Sequence, residues 1–310
     1  MNKFIVTTTI NKPTEALKKY IEFQKTKGWK LIVVGDLKTP HHAHVGDEYT
    51  YLDPLTQSRM YPKLSEIIGW NTISRRSIGI VEAYNLGADV IATIDDDNIP
   101  YDDWSDDLYV GTTKTIDVFC RDDFVFDPLS VTENNHIWHR GYPIEYLRRR
   151  HDGHCIGTED RYVKVQADLW NGDPDIDALC RITMWPEVEF EPMEPYGAKD
   201  AYSPFNSQNT FLSREVIPDY LLFPHTGRMD DIWASYVLES KHPNSVIYNR
   251  ASVYQDRNPH DLTVDLENEM LGYKYTAKLL QKLQSGQDYR VYLPEAAKPF
   301  EEEYRKALGV

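Results

Sequence analysis

Two apolar runs separated by a helical pattern open the chain. Residues 3–9, KFIVTTT, are apolar and β-branched and predict a short buried strand, and residues 29–36, WKLIVVGD, predict a second one. Between them, apolar side chains recur at helical spacing over residues 17–28, and Thr14 is a suitable N-cap. A strand–helix–strand unit favours parallel strands joined by a right-handed crossover, with binding sites at the carboxyl ends of the strands.

A further helix and strand follow a loop-like stretch. Residues 37–60 show no strong period apart from a weak strand at 48–52. The segment 74–86, SRRSIGIVEAYNL, has its apolar residues on one helical side, and 88–94, ADVIATI, predicts another buried strand. This alternation predicts an α/β domain with a nucleotide-type site on the carboxyl edge of its sheet.

The rest of the chain is less regular. The pattern predicts strands and helices in the order strand near 115–119, strand at 165–170, helix at 177–185, a polar turn entering a strand at 205–213, and helices at 228–240, 262–283 and 294–308.

Composition and charge limit the classes of function. The 310 residues are 41% hydrophobic, enough for a packed core, and no run approaches the roughly 20 apolar residues of a membrane span. We therefore expect a cytoplasmic protein with no membrane partner. The net charge of −15 disfavours an extended nucleic-acid-binding face, although Arg75–Arg76 and Arg148–Arg150 could line a local basic groove.

The cysteines predict neither a disulfide framework nor a zinc site. Cys120, Cys155 and Cys180 are widely spaced and form no Cys-x-x-Cys pair. We expect three buried, reduced thiols.

Three adjacent carboxylates, Asp95, Asp96 and Asp97, follow the strand predicted at 88–94. In an extended segment side chains alternate, so Asp95 and Asp97 would point to one side and Asp96 to the other. Two carboxylates on one side of a strand end form a hard oxygen site that suits Mg²⁺ or Mn²⁺, with water and substrate phosphates as further ligands. The alternative is an acidic strand exit that is simply solvated, because short Asp-x-Asp matches are frequent in acidic proteins.

Other polar residues are predicted at the same edge. Arg75 and Arg76, at the start of the preceding helix, could contact phosphate through forked hydrogen bonds. Asp36, at the end of the second strand, could bind a ribose or the edge of a base, and Thr8 offers a hydroxyl at the end of the first strand. The alternatives are surface charge for the arginines and a strand-forming role for the threonine.

Several segments, taken in order, resemble a known family. They are RRSIGIVEAYNLGADVIATIDDDN at 75–98, HRGYP at 139–143, DIDA at 175–178, PFNSQNTF at 204–211 and GRMDDIWA at 227–234. This ordered set resembles the reversibly glycosylated polypeptide family, which includes UDP-arabinopyranose mutases. The opening, IVTTTINKPTEALKKY with GWKLIVVGDLKTP, is similar to the related STELLO-type proteins, which are regarded as glycosyltransferases.

The resemblance implies a fold and a cofactor. The implied fold is GT-A-like (Rossmann-type) and binds nucleotide sugars, with a mostly parallel central sheet. Residues 1–260 would form the glycosyltransferase domain and residues 261–310 a helical extension packed on it. The resemblance also implies that Asp95, Asp96 and Asp97 form the motif for nucleotide sugar and Mn²⁺ or Mg²⁺, with Asp97 as the most direct ligand.

The resemblance also marks residues for catalysis. Arg140, in HRGYP, corresponds to an arginine associated with reversible self-glycosylation, although the sequence departs from the family after Pro143. Arg140 could equally be a phosphate contact or a structural salt bridge. In GT-A enzymes an acidic residue at a helix start can act as general base, which favours Asp231, then Asp230, over ordinary helix N-terminal charge.

His260 is a candidate late ligand of the metal or the diphosphate, and the alternative is an ordinary loop histidine.

The resulting hypothesis is a metal-dependent glycosyltransferase that uses a nucleotide sugar, most simply a UDP-sugar. One alternative is a nucleotide-sugar mutase, in which the sugar recloses on the same diphosphate, and another is a catalytically silent nucleotide-sugar-binding partner protein. The acceptor is left open among a glycan, a protein, a small molecule and a modified nucleic-acid base, and homo-oligomer formation is also left open.

Overall fold

The computed structural model describes residues 1–46, 48–121, 123–184, 186–257 and 261–310. Its first elements are β1 (Lys3–Thr9), α1 (Glu15–Thr26) and β2 (Trp29–Gly35). The Thr14 hydroxyl caps α1 by accepting a hydrogen bond from the Leu17 amide at 3.2 Å. The predicted strand–helix–strand opening is therefore confirmed, including its cap.

The stretch predicted as loop contains more structure than expected. The weak strand predicted at 48–52 is confirmed as β3 (Thr50–Leu52), but the residues after it form the unpredicted helix α2 (Pro54–Met60), and α3 (Pro62–Ile68) follows. Helix α2 has only seven residues, too few for a visible hydrophobic period, but Asp53 caps it and Pro54 occupies its first turn. An Asp-Pro pair of this kind is a local helix-start signal.

The remaining elements follow in chain order. They are α4 (Arg76–Asn85), β4 (Val90–Ile94), β5 (Asn98–Pro100), β6 (Thr113–Cys120), β7 (His154–Tyr162), β8 (Val165–Gly172), α5 (Ala178–Met184), β9 (Tyr196–Ala198), β10 (Asn209–Ser213), α6 (Asp230–Lys241), β11 (Val246–Gln255), α7 (Leu262–Gln284) and α8 (Phe300–Leu308). The last predicted helix is shorter than expected, because residues 290–297 form two short 3₁₀ turns before α8 begins.

All strands within the described ranges belong to one sheet. Its order is β3-β2-β1-β4-β10-β8-β11-β9-β6-β7, with β5 paired to β11. The strands from β3 to β4 are mutually parallel, whereas β10 runs antiparallel to both β4 and β8. The α/β class is confirmed. The parallel pairing is continuous in the N-terminal part, and the rest of the sheet is mixed.

Both faces of the sheet are covered, which explains the unbroken apolar runs in the sequence. Alternate side chains of β1 enter two separate cores, with Val6 on one face and Ile5 on the other. The core on the Val6 side also contains Trp233 of α6 and Tyr304 of α8. The C-terminal helices therefore pack on the main core, while a domain boundary at residue 260 stays a prediction.

The cysteine prediction is only partly correct. All three thiols are free, but Cys155 is exposed and Cys120 half-buried, and Cys180 alone is buried. Cys155 lies on β7, the last strand of the sheet, whose residues are mostly exposed.

No helix in the described ranges is both long enough and apolar enough to cross a membrane.

Candidate active site

The carboxyl ends of three parallel strands bring several predicted residues to one edge of the sheet. Strand β1 ends with Thr8 and Thr9, and Thr9 pairs in register with Gly35 at the end of β2. On its other side β1 pairs with β4, which ends directly before Asp95. Parallel strands of a doubly wound sheet place their ligands at this edge.

The three aspartates lie in a turn rather than in an extended segment. The Asp95 carbonyl accepts a hydrogen bond from the Asn98 amide at 3.3 Å, so the chain reverses between β4 and β5. The expected alternation of the three side chains therefore does not apply here. What separates the three carboxylates is the set of partners that each one finds.

Asp95 and Asp96 are both held by neighbouring side chains. Asp95 pairs with the buried guanidinium of Arg76. Asp96 accepts hydrogen bonds from the Thr9 hydroxyl and, at 3.1 Å, from the side-chain amide of Asn11. Burial raises the pKa of Asp96, and these two hydrogen bonds offset only part of that rise. Both carboxylates are therefore fixed in position before any ligand binds.

Asp97 lacks such partners. Its Oδ1 atom is buried and has no hydrogen-bond partner within the described part of the chain. Burial, followed by the charge of Asp95, raises the pKa of Asp97 to about 7. A buried carboxylate oxygen without a donor is costly unless a cation or a proton satisfies it. Of the three, Asp97 is therefore the one with a buried carboxylate oxygen that has no hydrogen-bond donor among the described residues.

A cleft of about 240 Å³ lies beside this turn. Thr8, Thr9 and Asp96 line one side of it, and Asp36 with residues 71–73 lines the other. Its wall also includes the apolar side chains of Ile10, Val34 and Ile73. Thr8 therefore borders the cleft, and its predicted contact with a ligand stays a prediction.

Asp36 borders the cleft but its oxygens are largely occupied. The carboxylate accepts hydrogen bonds from the amides of Leu37 (2.6 Å), Asn71 (2.8 Å) and Thr72 (3.1 Å). These bonds tie the end of β2 to the loop before α4. Asp36 thus shapes the wall of the cleft, and its predicted contact with a ribose or a base stays a prediction.

Arg75 and Arg76 lie in different surroundings. Arg75 is fully buried and donates to Gln57, Ser65 and the Gly69 carbonyl, with its guanidinium 3.7 Å from the centre of the Trp70 ring. Burial lowers the pKa of Arg75 to about 10. All of its donors are taken by neutral groups, so Arg75 braces the loop under the cleft rather than presenting N–H groups to a phosphate.

Arg76 is turned towards the aspartate turn. It pairs with Asp95 and donates to the Ser207 carbonyl at 2.7 Å. Burial by itself would lower the pKa of Arg76, but the charge of Asp95 and its hydrogen bond, with smaller contributions from Tyr220 and Asp231, together raise it. Its Nε atom is buried without a partner in the described ranges. Arg76 therefore remains a positive charge next to the turn.

Arg140 and Asp231 form a buried ion pair. Two guanidinium nitrogens of Arg140 lie 2.9 and 3.0 Å from the two oxygens of Asp231. Arg140 also donates to Asp175 at 2.8 Å and to the Arg228 carbonyl. Every N–H group of Arg140 is thereby used, which is the structural salt bridge among the alternatives that the sequence left open.

The adjacent carboxylates Asp230 and Asp231 have pKa values shifted in opposite directions. Burial would raise the pKa of Asp231, but Arg140 outweighs it and lowers the pKa, and Ser207 adds two further hydrogen bonds. For Asp230, burial followed by the charge of Asp231 raises the pKa to about 7. Asp230 receives one side-chain hydrogen bond, from the Ser74 hydroxyl at 3.1 Å. Of these two carboxylates, Asp230 is the one whose pKa lies close to neutral pH, as a general base requires.

Arg257, two residues after the end of β11, was not among the residues predicted from sequence. Its Nε atom lies 3.2 Å from Asp173 but is not aligned for a hydrogen bond, and it is buried without a partner among the described residues. The positive charge of Arg257 lowers the pKa of Asp97, so the two side chains are electrostatic neighbours. The segment VIYNRASVYQ is the signal that could have found Arg257: it forms β11 (Val246–Gln255), and a residue just after the end of that strand lies at the same edge of the sheet.

Asp175 joins these groups into one network. Burial would raise its pKa, but Arg140, then Arg257 and Arg228, outweigh it and lower the pKa. Arg228 in turn pairs with Glu269 of α7 at 2.7 Å. Asp175 is the first residue of the DIDA segment, and its place at the centre of an arginine cluster was not predicted from sequence.

The described residues contain no cluster of three or more His, Cys, Asp or Glu side chains arranged to hold a metal ion. His260, the predicted late ligand, lies outside the described residues. The second basic candidate is divided: Arg150 is buried and pairs with Asp127 at 2.7 Å, whereas Arg148 and Arg149 are exposed. The run 148–150 therefore does not form a continuous basic groove.

Comparison with known proteins gives similarity in structure only. No protein-family profile matches the chain, and no curated protein matches it in sequence. Among solved structures it is similar to glucosyl-3-phosphoglycerate synthase from Mycobacterium tuberculosis in complex with Mn²⁺, UDP and phosphoglyceric acid, with 11% identity over 93% of this chain and 79% of that chain and a TM-score of 0.47. The same enzyme in complex with Mg²⁺ and UDP gives 9% identity, 93% and 80% coverage and a TM-score of 0.43.

Proposed function

We propose that this protein is a metal-dependent glycosyltransferase of the GT-A type that uses a nucleotide sugar, with a UDP-sugar as the first donor to test. The observation that carries the proposal is the unpartnered Oδ1 of Asp97, in an aspartate turn at the carboxyl edge of parallel strands and beside a cleft of about 240 Å³. Carboxylate oxygens at such an edge suit a hard cation and a phosphate ester together.

The donor set of the turn fits Mg²⁺ or Mn²⁺. Asp97 would supply its unpartnered oxygen, and Asp95 would supply the oxygen that does not face Arg76. A site with one or two protein carboxylates is normal for Mg²⁺, whose other ligands are water and substrate phosphates. When bound, the metal would stabilise the negative charge of the departing diphosphate.

The cleft would hold the nucleoside. Its apolar lining, Ile10, Val34 and Ile73, offers a surface for a flat base, and the Thr8 hydroxyl lies at its edge. Asp36 keeps the loop wall in place through the amides of Asn71 and Thr72. A cleft that is rigid before binding loses less conformational entropy when the nucleotide enters.

Two arginines would assist the leaving group. Arg257 is buried, its Nε lies 3.2 Å from Asp173 without forming a hydrogen bond, and its charge acts on Asp97. Arg76 also has an unpartnered Nε and faces Asp95. Fixed positive charge next to a developing diphosphate stabilises the transition state at little reorganisation cost.

Asp230 is our proposed general base, in place of the Asp231 preferred from sequence. A base must accept a proton near the working pH, and the pKa of Asp230 is raised to about 7. Asp231 is held by Arg140 and Ser207 and would instead position its neighbour. Ser74, which donates to Asp230, would orient the carboxylate towards the acceptor hydroxyl.

One experiment tests the proposal and its alternatives. The protein is incubated with Mn²⁺ and a panel of UDP-sugars, and binding, UDP release, ring conversion and intact protein mass are followed. UDP release that rises with an added acceptor supports transfer. Pyranose-to-furanose conversion without net UDP release supports a mutase, and binding alone supports a silent partner protein.

A matched pair of variants tests the site itself. We expect Asp97→Ala to weaken metal-dependent UDP-sugar binding at least about tenfold, because it removes the unpartnered ligand oxygen. Asp102→Ala, an exposed aspartate five positions further on, should bind as the parent does. Unchanged metal-dependent binding by Asp97→Ala would overturn the assignment of the site.

A further inference from the structure

A second cavity shares no lining residue with the cleft beside the aspartate turn, and we call it the rear cavity. Its volume is about 200 Å³, and its lining consists of Phe124, Asp200, Ala201, Tyr202, Glu239, Ser240, Pro243, Asn244 and Gln284. Glu239 belongs to the last turn of α6, whose first turn carries Asp230 and Asp231. At 1.5 Å per residue, the eight positions from Asp231 to Glu239 span roughly 12 Å along the helix.

Glu239 is a buried acid without a cationic partner. The side chain is 6% exposed, and its two oxygens accept hydrogen bonds from a single donor, the Ser203 amide, at 3.0 and 3.1 Å. Among the described residues no lysine, arginine or histidine forms an ion pair with it. A carboxylate in a low-dielectric environment normally finds a cation or becomes protonated.

The position of Glu239 on its helix increases this cost. The carboxyl end of a helix carries partial negative charge, which disfavours a carboxylate and favours a cation in the last turn. Burial raises the pKa of Glu239 well above its ordinary value, and the charge of Arg161 offsets only part of that rise. A cation beside Glu239 would be favoured both by the carboxylate and by the carbonyls of the helix end.

The walls of the cavity suit a small organic cation. Phe124 and Tyr202 contribute aromatic rings, which attract an ammonium group over their faces. Asp200 and Asn244 stand at the cavity as a pair, joined by two reciprocal hydrogen bonds of 2.8 and 2.9 Å. In the described part of the chain the lining contains no basic side chain that would repel a cation.

We propose that the rear cavity is a binding site for a small organic ammonium ion, with the Glu239 carboxylate as its charge partner and the rings of Phe124 and Tyr202 as its walls. The volume accommodates a short alkylammonium chain, and the acidic and aromatic lining discriminates against anions and against uncharged compounds of the same shape. The site does not depend on the function proposed for the aspartate turn.

The test uses n-butylammonium chloride as the probe, with 1-butanol as the uncharged analogue and sodium chloride at the same ionic strength. Calorimetric titration at pH 7 should show saturable binding of butylammonium only. Because burial raises the pKa of Glu239 well above its ordinary value and a bound cation would lower it, binding should release protons, and the observed heat should change with the ionisation enthalpy of the buffer.

Variants separate this site from general charge attraction. Glu239→Gln keeps an acceptor for the Ser203 amide but removes the charge, and it should weaken butylammonium binding at least about tenfold. Glu215→Gln, an exposed acid elsewhere, should leave binding unchanged. Should Glu239→Gln fold poorly, Ala201→Met narrows the cavity and should weaken binding with Glu239 intact.

Three results would each overturn the proposal: no saturable binding beyond the sodium chloride control, equal binding of butanol, or equal affinity in Glu239→Gln.

Discussion

Replacing Arg140 by alanine should cost about 3–5 kcal/mol of folding free energy at pH 7, because it leaves buried carboxylates without their cation. The Arg140 side chain is 8% exposed, and those of Asp175 and Asp231 are 3% and 7% exposed. Arg140 lies 2.8 Å from Asp175 and 2.9 Å from Asp231, so one substitution removes a cation that both carboxylates share. Arg228 and Arg257 still face Asp175, but Asp231 has no other ion-pair partner in the described ranges.

The loss should depend on pH with a definite sign. The pKa values of Asp175 and Asp231 are lowered in the folded protein, chiefly because Arg140 outweighs the effect of burial. A lowered carboxyl pKa contributes stability above the ordinary pKa of aspartate, near 3.8, and that contribution is lost as the pH falls below it. The difference between wild type and Arg140→Ala should therefore be full at pH 7 and should shrink towards pH 3.

Urea denaturation of four proteins measures this coupling. They are the wild type, Arg140→Ala, Asp231→Asn and the double variant. In the Asp231→Asn background the cost of Arg140→Ala should fall by about 1–3 kcal/mol, because one uncovered charge is already gone. Arg148→Ala, an exposed arginine, is the control and should change stability by less than about 0.5 kcal/mol.

Two outcomes would refute the reasoning: a cost below about 1 kcal/mol at pH 7, or the same cost in both backgrounds.

The wild-type protein also tests self-glycosylation at Arg140. Because every N–H group of Arg140 is engaged, we expect no mass increase of the wild type at this residue after incubation with a UDP-sugar.

Three further predictions concern stability. Gly79→Ala should destabilise by about 1–3 kcal/mol in thermal unfolding, since its Cβ would lie 2.6 Å from a Val6 methyl group, and wild-type stability would contradict the packing of α4 on β1. Thr14→Ala should cost about 1 kcal/mol through loss of the α1 cap and of the 2.6 Å bond to the Asp96 carbonyl, with Thr14→Ser as the conservative control. Glu239→Gln should gain stability relative to wild type as the pH rises from 5 to 7, by up to about 1.4 kcal/mol per pH unit. The reason is that burial raises the pKa of Glu239 in the folded protein, so the folded wild type retains a proton that the unfolded chain releases above about 4.5. A difference in stability that does not depend on pH would contradict this.

The N-terminal part of the fold could be predicted because its signals are local. β1, α1 and β2 each have a complete hydrophobic period, and Thr14 supplies the cap. Both faces of this sheet are buried, so the strands read as continuous apolar runs. Because strands joined by helices run parallel, their carboxyl ends meet at one edge of the sheet. The position of the aspartate turn could therefore be predicted.

The partners of the site residues could not be predicted in the same way. Arg140 and Asp231 are separated by 91 positions, and Arg76 and Ser207 by 131. No local period carries such pairings, because they depend on how the mixed half of the sheet folds back on the parallel half. A buried arginine and a surface arginine also look alike in sequence, which is why Arg75 was expected at a phosphate although it braces a loop.

The three adjacent carboxylates Asp95, Asp96 and Asp97 are stabilised to different extents by neighbouring side chains. Arg76 neutralises Asp95, and the hydrogen bonds to Asp96 come from neutral groups, including Thr9. Asp96 thus keeps its charge but has its donors, whereas Asp97 has a buried oxygen with no donor among the described residues. Without added positive charge, the repulsion of Asp95 and the burial of Asp97 together favour a proton there. In the function we propose, a divalent cation bound by the unpartnered Asp97 oxygen would offset both the burial and the repulsion.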